Sequence, residues 1–419
     1  MISGNKILIL GGNYVETEIV KRAKRLGYYA IVTDNHEDWS LSPAKWVADE
    51  GWNISWSDID ALEQKCKDEK VDGVLAGFSE FRIEAMIKLC ERLDFLCSLT
   101  MQQLDITRNK SFFKATCRKY GVPTIPEYSI DKVSHFPVII KPVDRAGSIG
   151  INVAYDKKEL EKHYQYAKSL SPSKHVIIED FITDGIKFDV YYYIQNGRAY
   201  FIGSSDTIMC KGENGAKILQ KCWPFRSKFE TAYRRTVEPN IKKMFEGLGI
   251  RNTYVTMSAF HKNGQFYFFE AGFRLSGEMS FNYQEALSGI NYIDTMLRFS
   301  LQNPDDTIYH DIDGSHKNSA ILNFFVIDGK VNEIRGLDVL EKLSDVYSVN
   351  LFVKNGDMIS NDTNVFKKGA MFTIITDSQE SLINAIIEVN SNFDIISDEG
   401  KSLIYERVTE REMADYYEK

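Results

Sequence analysis

Short apolar runs alternate with helical periodicities over the first hundred residues. Lys6–Leu10 is an apolar run closed by Gly11 and Gly12. Glu16–Leu26 carries apolar positions at helical spacing and stops at Gly27, and Tyr29–Thr33 is a second run ending at Asp34. Ile59–Lys67 predicts a helix, Gly73–Ala76 a strand and Arg82–Leu93 another helix. Strands and helices alternating at these lengths predict a parallel, doubly wound sheet. Ligands of such sheets lie beyond the carboxyl ends of the strands. Gly11, Gly12, Asn13, Asp34 and Phe78-Ser79-Glu80 are therefore expected to face one crevice.

After Thr107 the pattern changes. Lys110–Tyr120 is helical and ends at Gly121, with Pro123 and Pro126 beyond it. Short apolar runs follow at Val138–Lys141, Ile149–Ala154, Val176–Glu179, Phe188–Ile194 and Ala199–Ser204, with a helix at Lys157–Leu170 among them. This predicts an α+β unit with an antiparallel sheet. Glu238–Leu248 reads as a helix, Tyr254–His261 and Gln265–Glu270 as a hairpin across Lys262-Asn263-Gly264, and Asn291–Leu301 as a helix. Asn303-Pro304-Asp305-Asp306 is a polar linker. Strands are expected at Ala320–Ile327, Val346–Val353 and Ala370–Thr376, then a helix at Ser378–Val389.

With 419 residues the chain is too long for one ordinary core. Three units are expected: 1–105, parallel α/β; 106–305, with a lid at about 120–190; and 306–419, a small β-rich C-terminal unit. No apolar run is long enough to cross a membrane, and the first residues lack the pattern of a signal peptide. A net charge of −8 argues against a nucleic-acid partner, which calls for a basic face. The six cysteines show no CxxC spacing and mostly sit in apolar contexts, as in a reduced cytoplasmic protein.

Two stretches carry candidate chemistry. In the first, an apolar strand ends in Lys141-Pro142 and runs into Asp144-Arg145-Ala146-Gly147-Ser148-Ile149-Gly150. Gly147 and Gly150 allow backbone N–H groups to approach a phosphate, and Ser148 adds a hydroxyl. A plain β-turn is the alternative. In the second, Phe266-Tyr267-Phe268-Phe269 predicts a strand buried on both faces and delivers Glu270, with Arg274 four residues on. Such a carboxylate suits Mg²⁺ held together with substrate phosphates, and such an arginine suits charge on a transferring phosphoryl group. The alternative is a structural Glu270–Arg274 ion pair. Between the two stretches, Glu179-Asp180-Phe181-Ile182 leaves a strand. It can offer backbone groups to an adenine edge while Phe181 or Ile182 packs on its face. ATP with Mg²⁺ is the ligand these pieces predict together.

Their order and spacing resemble the ATP-grasp superfamily of carboxylate–amine ligases, which includes the carbamoyl-phosphate synthetase large chain, biotin carboxylase and phosphoribosylglycinamide synthetase. The resemblance runs from Lys6 to about Leu301. It implies an ATP-grasp fold preceded by a Rossmann-like parallel α/β domain. Asn109-Lys110 before Gly121-Val122-Pro123 matches the helix with an ATP-binding lysine, so Lys110 inherits that role. Lys141-Pro142 with its glycine loop matches the phosphate-binding segment, Glu179 to Ile182 the adenine hinge, and Glu270-Ala271-Gly272-Phe273-Arg274 the metal strand. Asp189 is implied as the ribose-binding acid. Arg274 inherits a catalytic role.

The chain departs from the family's pattern at three places. Gly272 stands where an Asn metal ligand is usual, Ser258 where Glu or Gln is usual, and Lys187 near the usual ribose acid. Glu270 is thus the expected metal ligand, with Glu278 a candidate for the missing carboxylate or a contact for the acceptor substrate. The resemblance implies an ADP-forming ligase with a small carboxylate and an amine as substrates, in a possible homodimer. A loop at Asp206–Phe229, with Cys210, Lys211, Lys217, Lys221, Cys222 and Trp223, is expected over the acceptor site. A nucleotide-binding protein without ligase activity is the rival. A dehydrogenase built on Gly11-Gly12 is disfavoured because the third glycine of the dinucleotide fingerprint is missing.

Overall fold

The computed structural model describes residues 5–145, 149–210, 219–303, 309–312, 317–361 and 366–418. The chain opens with β1 (Lys6–Leu10), α1 (Glu16–Arg25), β2 (Tyr29–Thr33), α2 (Ala44–Val47), β3 (Glu50–Trp52), α3 (Ile59–Glu69), β4 (Gly73–Leu75) and α4 (Glu80–Leu93). The strands form the expected parallel sheet, in the order β3-β2-β1-β4. Gly11 has φ +100° and lies under the guanidinium of Arg82. A Cβ on Gly12 would lie 1.6 Å from the hydroxyl of Ser42, so neither position tolerates a side chain.

Two helices, α5 (Met101–Arg108) and α6 (Lys110–Lys119), meet at Asn109. The Asn109 side chain accepts from the amides of Ser111 and Phe112 and so starts α6. The lid follows: β5 (Glu127–Tyr128), β6 (Val138–Pro142), β7 (Asn152–Ala154), α7 (Lys157–Leu170) and β8 (Val176–Asp180). Its antiparallel order is β5-β8-β6-β7. The edge strand β7 begins at Asn152 rather than Ile149, because Gly150 holds φ +78° in the turn before it. Val138, Ile140, Ala154, Leu160, Ala167 and Ile178 give the lid a small core of its own.

The main sheet is built from β9 (Ile186–Gln195), β10 (Arg198–Asp206), β11 (Ile208–Met209) and β12 (Gln220–Phe225), with α8 (Glu230–Thr236) and α9 (Glu238–Gly247) before β13 (Thr253–Lys262) and β14 (Gln265–Gly272). After α10 (Phe281–Ser288) and α11 (Tyr292–Ser300) come β15 (Asn318–Val326), β16 (Gly329–Arg335), α12 (Leu337–Leu340), β17 (Val346–Leu351), β18 (Met358–Ile359), β19 (Lys367–Thr376), α13 (Gln379–Asn392), β20 (Asp394–Ser397) and α14 (Glu410–Glu418). The sheet order is β14-β13-β9-β10-β12-β15-β19-β17, with β11 on β12. Three strands from beyond residue 306 thus extend the sheet that carries β14. A second core, with Leu322, Phe324, Phe372, Ile386 and Phe393, backs that extension. All six cysteines are free. Among the described residues no helix is long and apolar enough to cross a membrane.

Candidate functional site

β14 is the last strand of the sheet order, and beyond it the Phe268 amide donates to the carbonyl of Pro123 at 2.9 Å. Phe266 and Phe268 are buried in the core, but Tyr267 and Phe269 are only half-buried, and Glu270 is exposed. The expectation of a strand buried on both faces is corrected here. A β-bulge decides where Glu270 points. Ala259 pairs with Phe268 and Ser258 with Glu270, which leaves Phe269 as the extra residue. Without the bulge Glu270 would share the inward side of Phe268; with it, the carboxylate is turned to the other face.

On that face four side chains lie in one row across four strands. Ser205 of β10 is opposite Asp189 of β9, Asp189 opposite Ser258 of β13, and Ser258 opposite Glu270. Asp189 is buried and already engaged: Ser258 Oγ donates to its Oδ1 at 2.5 Å and Lys187 Nζ to its Oδ2 at 2.7 Å. Lys187 also lies 5.3 Å from the ring centre of Trp223 on β12. Glu270 differs in having no ion pair or hydrogen bond to any described residue. Thr256 and Gly272 form the next row. A Cβ on Gly272 would meet nothing closer than Arg274 Cγ at 3.8 Å, so a larger residue has room there.

Arg274 does not pair with Glu270. Its buried Nε lies 3.9 Å from Glu80 Oε1 at the start of α4, within ion-pair range but with no hydrogen bond, and its Nη1 donates to the carbonyl of Leu275 at 3.2 Å. Burial pushes the Glu80 carboxyl up, Arg274 opposes this and Glu270 adds to it. The amide of Leu275 donates to the carbonyl of Gly77 at 2.9 Å, which fixes the segment after β14 against the carboxyl end of β4. Of the crevice residues of the first sheet, Glu80 is thereby brought beside Arg274 and Glu270. Glu278 ion-pairs with Lys368 of β19 and is three-quarters buried.

The lid side supplies the cations. Lys110, the first residue of α6, donates to the carbonyl of Arg145 at 2.8 Å. Burial holds its ammonium below the ordinary lysine value, against the pull of Glu270. Lys141, at the end of β6, donates to Glu179 Oε2 of β8 at 2.7 Å, and Lys114 of α6 reaches Oε1 of the same carboxylate. Burial raises the Glu179 carboxyl, but Lys141 and then Lys114 outweigh it and hold the group below the carboxylate range. Phe181 and Ile182 are half-buried just past β8, and Gly150 closes the β6–β7 turn. Gly147, Ser148, Lys211 and Lys217 lie outside the described residues.

The sequence reading of the site did not include Lys114, Glu80 as the partner of Arg274, or Lys368. Lys114 had a signal: it sits between Phe113 and Cys117 on the inner face of α6, where a lysine needs a buried anion. Glu80 and Lys368 had none, because their partners are remote in sequence.

Among the described residues no three His, Cys, Asp or Glu side chains converge to hold a metal by themselves. A Mg²⁺ ion needs only one or two carboxylates when phosphates and water complete its shell, and the unpaired Glu270 fits that demand.

Residues 126–304 match the model of the carbamoyl-phosphate synthase L chain ATP-binding domain. Formate-dependent phosphoribosylglycinamide formyltransferase of Sulfolobus acidocaldarius is 27% identical over 190 residues, which are 42% of this chain and 46% of that protein. The enzyme of the same name from Francisella tularensis subsp. novicida is 26% identical over 255 residues, 52% of this chain and 64% of its own. The chain spans about half the length of such curated relatives. Among solved structures, L-amino acid ligase from Bacillus licheniformis superposes with TM-score 0.77 at 19% identity, covering 94% of this chain and 99% of that one. A biotin carboxylase complex from Campylobacter jejuni superposes with TM-score 0.75 at 17% identity, covering 100% and 96%. The chain has the ATP-grasp fold.

Proposed function

We propose that this chain is an ADP-forming ligase that activates a small carboxylate with ATP and passes it to an amine. The observation that carries the reading is the opposition of two charge sets across one cleft. Lys110 and Lys141 come from α6 and the lid, and the unpaired Glu270 with Arg274 comes from the main sheet. The names of the relatives support it: formyltransferase, amino acid ligase and carboxylase.

In this reading the lid and the hinge after β8, with Phe181 and Ile182, hold the adenine, and Asp189 faces the ribose. Lys110 and Lys141 bind phosphate oxygens. Glu270 would hold Mg²⁺, which supplies charge neutralisation when bound. The substrate carboxylate attacks the γ-phosphorus, the bond to the bridging oxygen breaks, and ADP leaves. The amine then attacks the acyl carbon, phosphate departs with the C–O bond electrons, and the proton lost from the nitrogen goes to the departing phosphate or to water. Positioning and charge stabilisation account for most of such catalysis. Arg274, now half-paired to Glu80, meets the charge that develops at the acyl phosphate. Glu278 and Lys368 border the acceptor side.

The test is ADP release in the presence of Mg²⁺ across pairs of small carboxylic acids and amines. The reading expects at least one pair to raise ADP formation well above ATP alone. A second reading is favoured by one observation, the single free carboxylate where the pattern usually has more: the chain then binds nucleotide without ligase activity. ATP binding with no pair raising ADP release would select it.

A further inference from the structure

Lys114 makes no contact with the open cleft and is 1% exposed, yet it is wired to the cleft. Its ammonium donates to the carbonyl of Ile125 at 2.8 Å and to Glu179, and lies 3.5 Å from Glu127. Glu179 is itself 2% exposed and receives Lys141 on its other oxygen. Two lysines thus share one buried carboxylate. If Lys141 were the only partner, moving its ammonium to a phosphate would strand a buried negative charge, which is strongly unfavourable. With Lys114 in place the carboxylate keeps a partner when Lys141 leaves.

We infer that Lys114 is a positioning residue: it neutralises Glu179 so that the Lys141 ammonium is free to transfer from Glu179 to a phosphate of the incoming nucleotide. The trio carries one net positive charge, and only Lys141, 12% exposed, can present it to the cleft. Lys114 also ties α6, which begins with Lys110, to β8 of the lid. Both phosphate-binding lysines are therefore set by the same buried carboxylate. The inference rests on the nucleotide-site reading above and assigns a device within it.

The test is calorimetric titration of ATP and, separately, of adenosine into the whole chain. Lys114→Met is expected to bind ATP roughly tenfold or more weakly, the scale of a lost charge-assisted contact. Adenosine, which has no phosphate, is expected to bind as it does to the parent. Adding Glu179→Gln removes the stranded charge, and the double variant is expected to bind ATP as tightly as Glu179→Gln alone. This arm stands even where Lys114→Met alone does not fold, since the double variant carries no stranded carboxylate at position 179. Parental ATP affinity in Lys114→Met overturns the inference. So does an equal loss for adenosine, or a double variant that binds ATP more weakly than Glu179→Gln alone. A parent chain that binds no ATP overturns the nucleotide reading itself, and with it the inference.

Discussion

Glu270 is the one carboxylate of its row left without a protein partner, while Asp189 beside it is bound twice. A carboxylate that folding leaves free contributes little to stability and is available to a cation. Glu270→Gln is therefore expected to keep the melting temperature and the ATP affinity close to the parent's and to abolish Mg²⁺-dependent ADP formation. Thermal unfolding and a Mg²⁺ titration of turnover check this. A large loss of stability with intact Mg²⁺ dependence would return Glu270 to a structural role. The residue types of the site were legible because a lysine or a glutamate at the end of an apolar strand is out of place in a core. Their pairings were not. Arg274 was expected to meet either Glu270 or a phosphoryl group, and it meets Glu80, 194 positions away in the chain, because the loop after β14 docks on β4.

Elements bring such residues together, and here the bulge in β14 sets the direction of Glu270. The alternation of apolar runs predicted the parallel sheet, the lid strands and the β13–β14 hairpin within a few residues. It did not predict the bulge at Phe269, since an extra residue among four aromatics leaves no trace in a period-two pattern. Nor did it predict α5, short and weakly amphipathic, or the docking of α14. That helix is held by two buried contacts. Lys221 of β12 donates to Glu406 and Glu412, and the Tyr416 hydroxyl donates to Asp206 at 2.5 Å. Asp206 also accepts from Ser227 Oγ at 2.7 Å, but burial outweighs these bonds and raises its carboxyl to about 6. A carboxyl raised above its unfolded value favours the fold at low pH, and that contribution is lost as pH rises through the folded value. The shift corresponds to about 3 kcal/mol between roughly pH 4 and 6 and above. Asp206→Asn is expected to remove this part of the pH dependence and to be more stable than the parent near pH 7.5. Urea unfolding at several pH values checks it. Parallel stability–pH curves for the two proteins would show that Asp206 does not titrate in the folded state in this range.

At the scale of the whole molecule, the lid has its own core, while the parallel sheet and the main sheet share one. Lys141 and Glu179 belong to the first of these, Glu270 and Arg274 to the second. A ligand between them couples two separately packed bodies, as expected for a nucleotide covered by a lid. The sequence reading expected a lysine and glycine loop in one half and a carboxylate with an arginine in the other. It did not predict how β15, β19 and β17 extend the main sheet, because strand partners so far apart are set by tertiary packing rather than local pattern. The central claim is that the cleft binds ATP through Lys141. Calorimetric titration of ATP with Mg²⁺ into the parent and into Lys141→Ala tests it most directly. The account predicts saturable binding to the parent and roughly ten- to hundredfold weaker binding to the folded variant, the loss of a charge-assisted contact of about 1.5–3 kcal/mol. Equal affinity in the two proteins, or no binding to the parent, would contradict it.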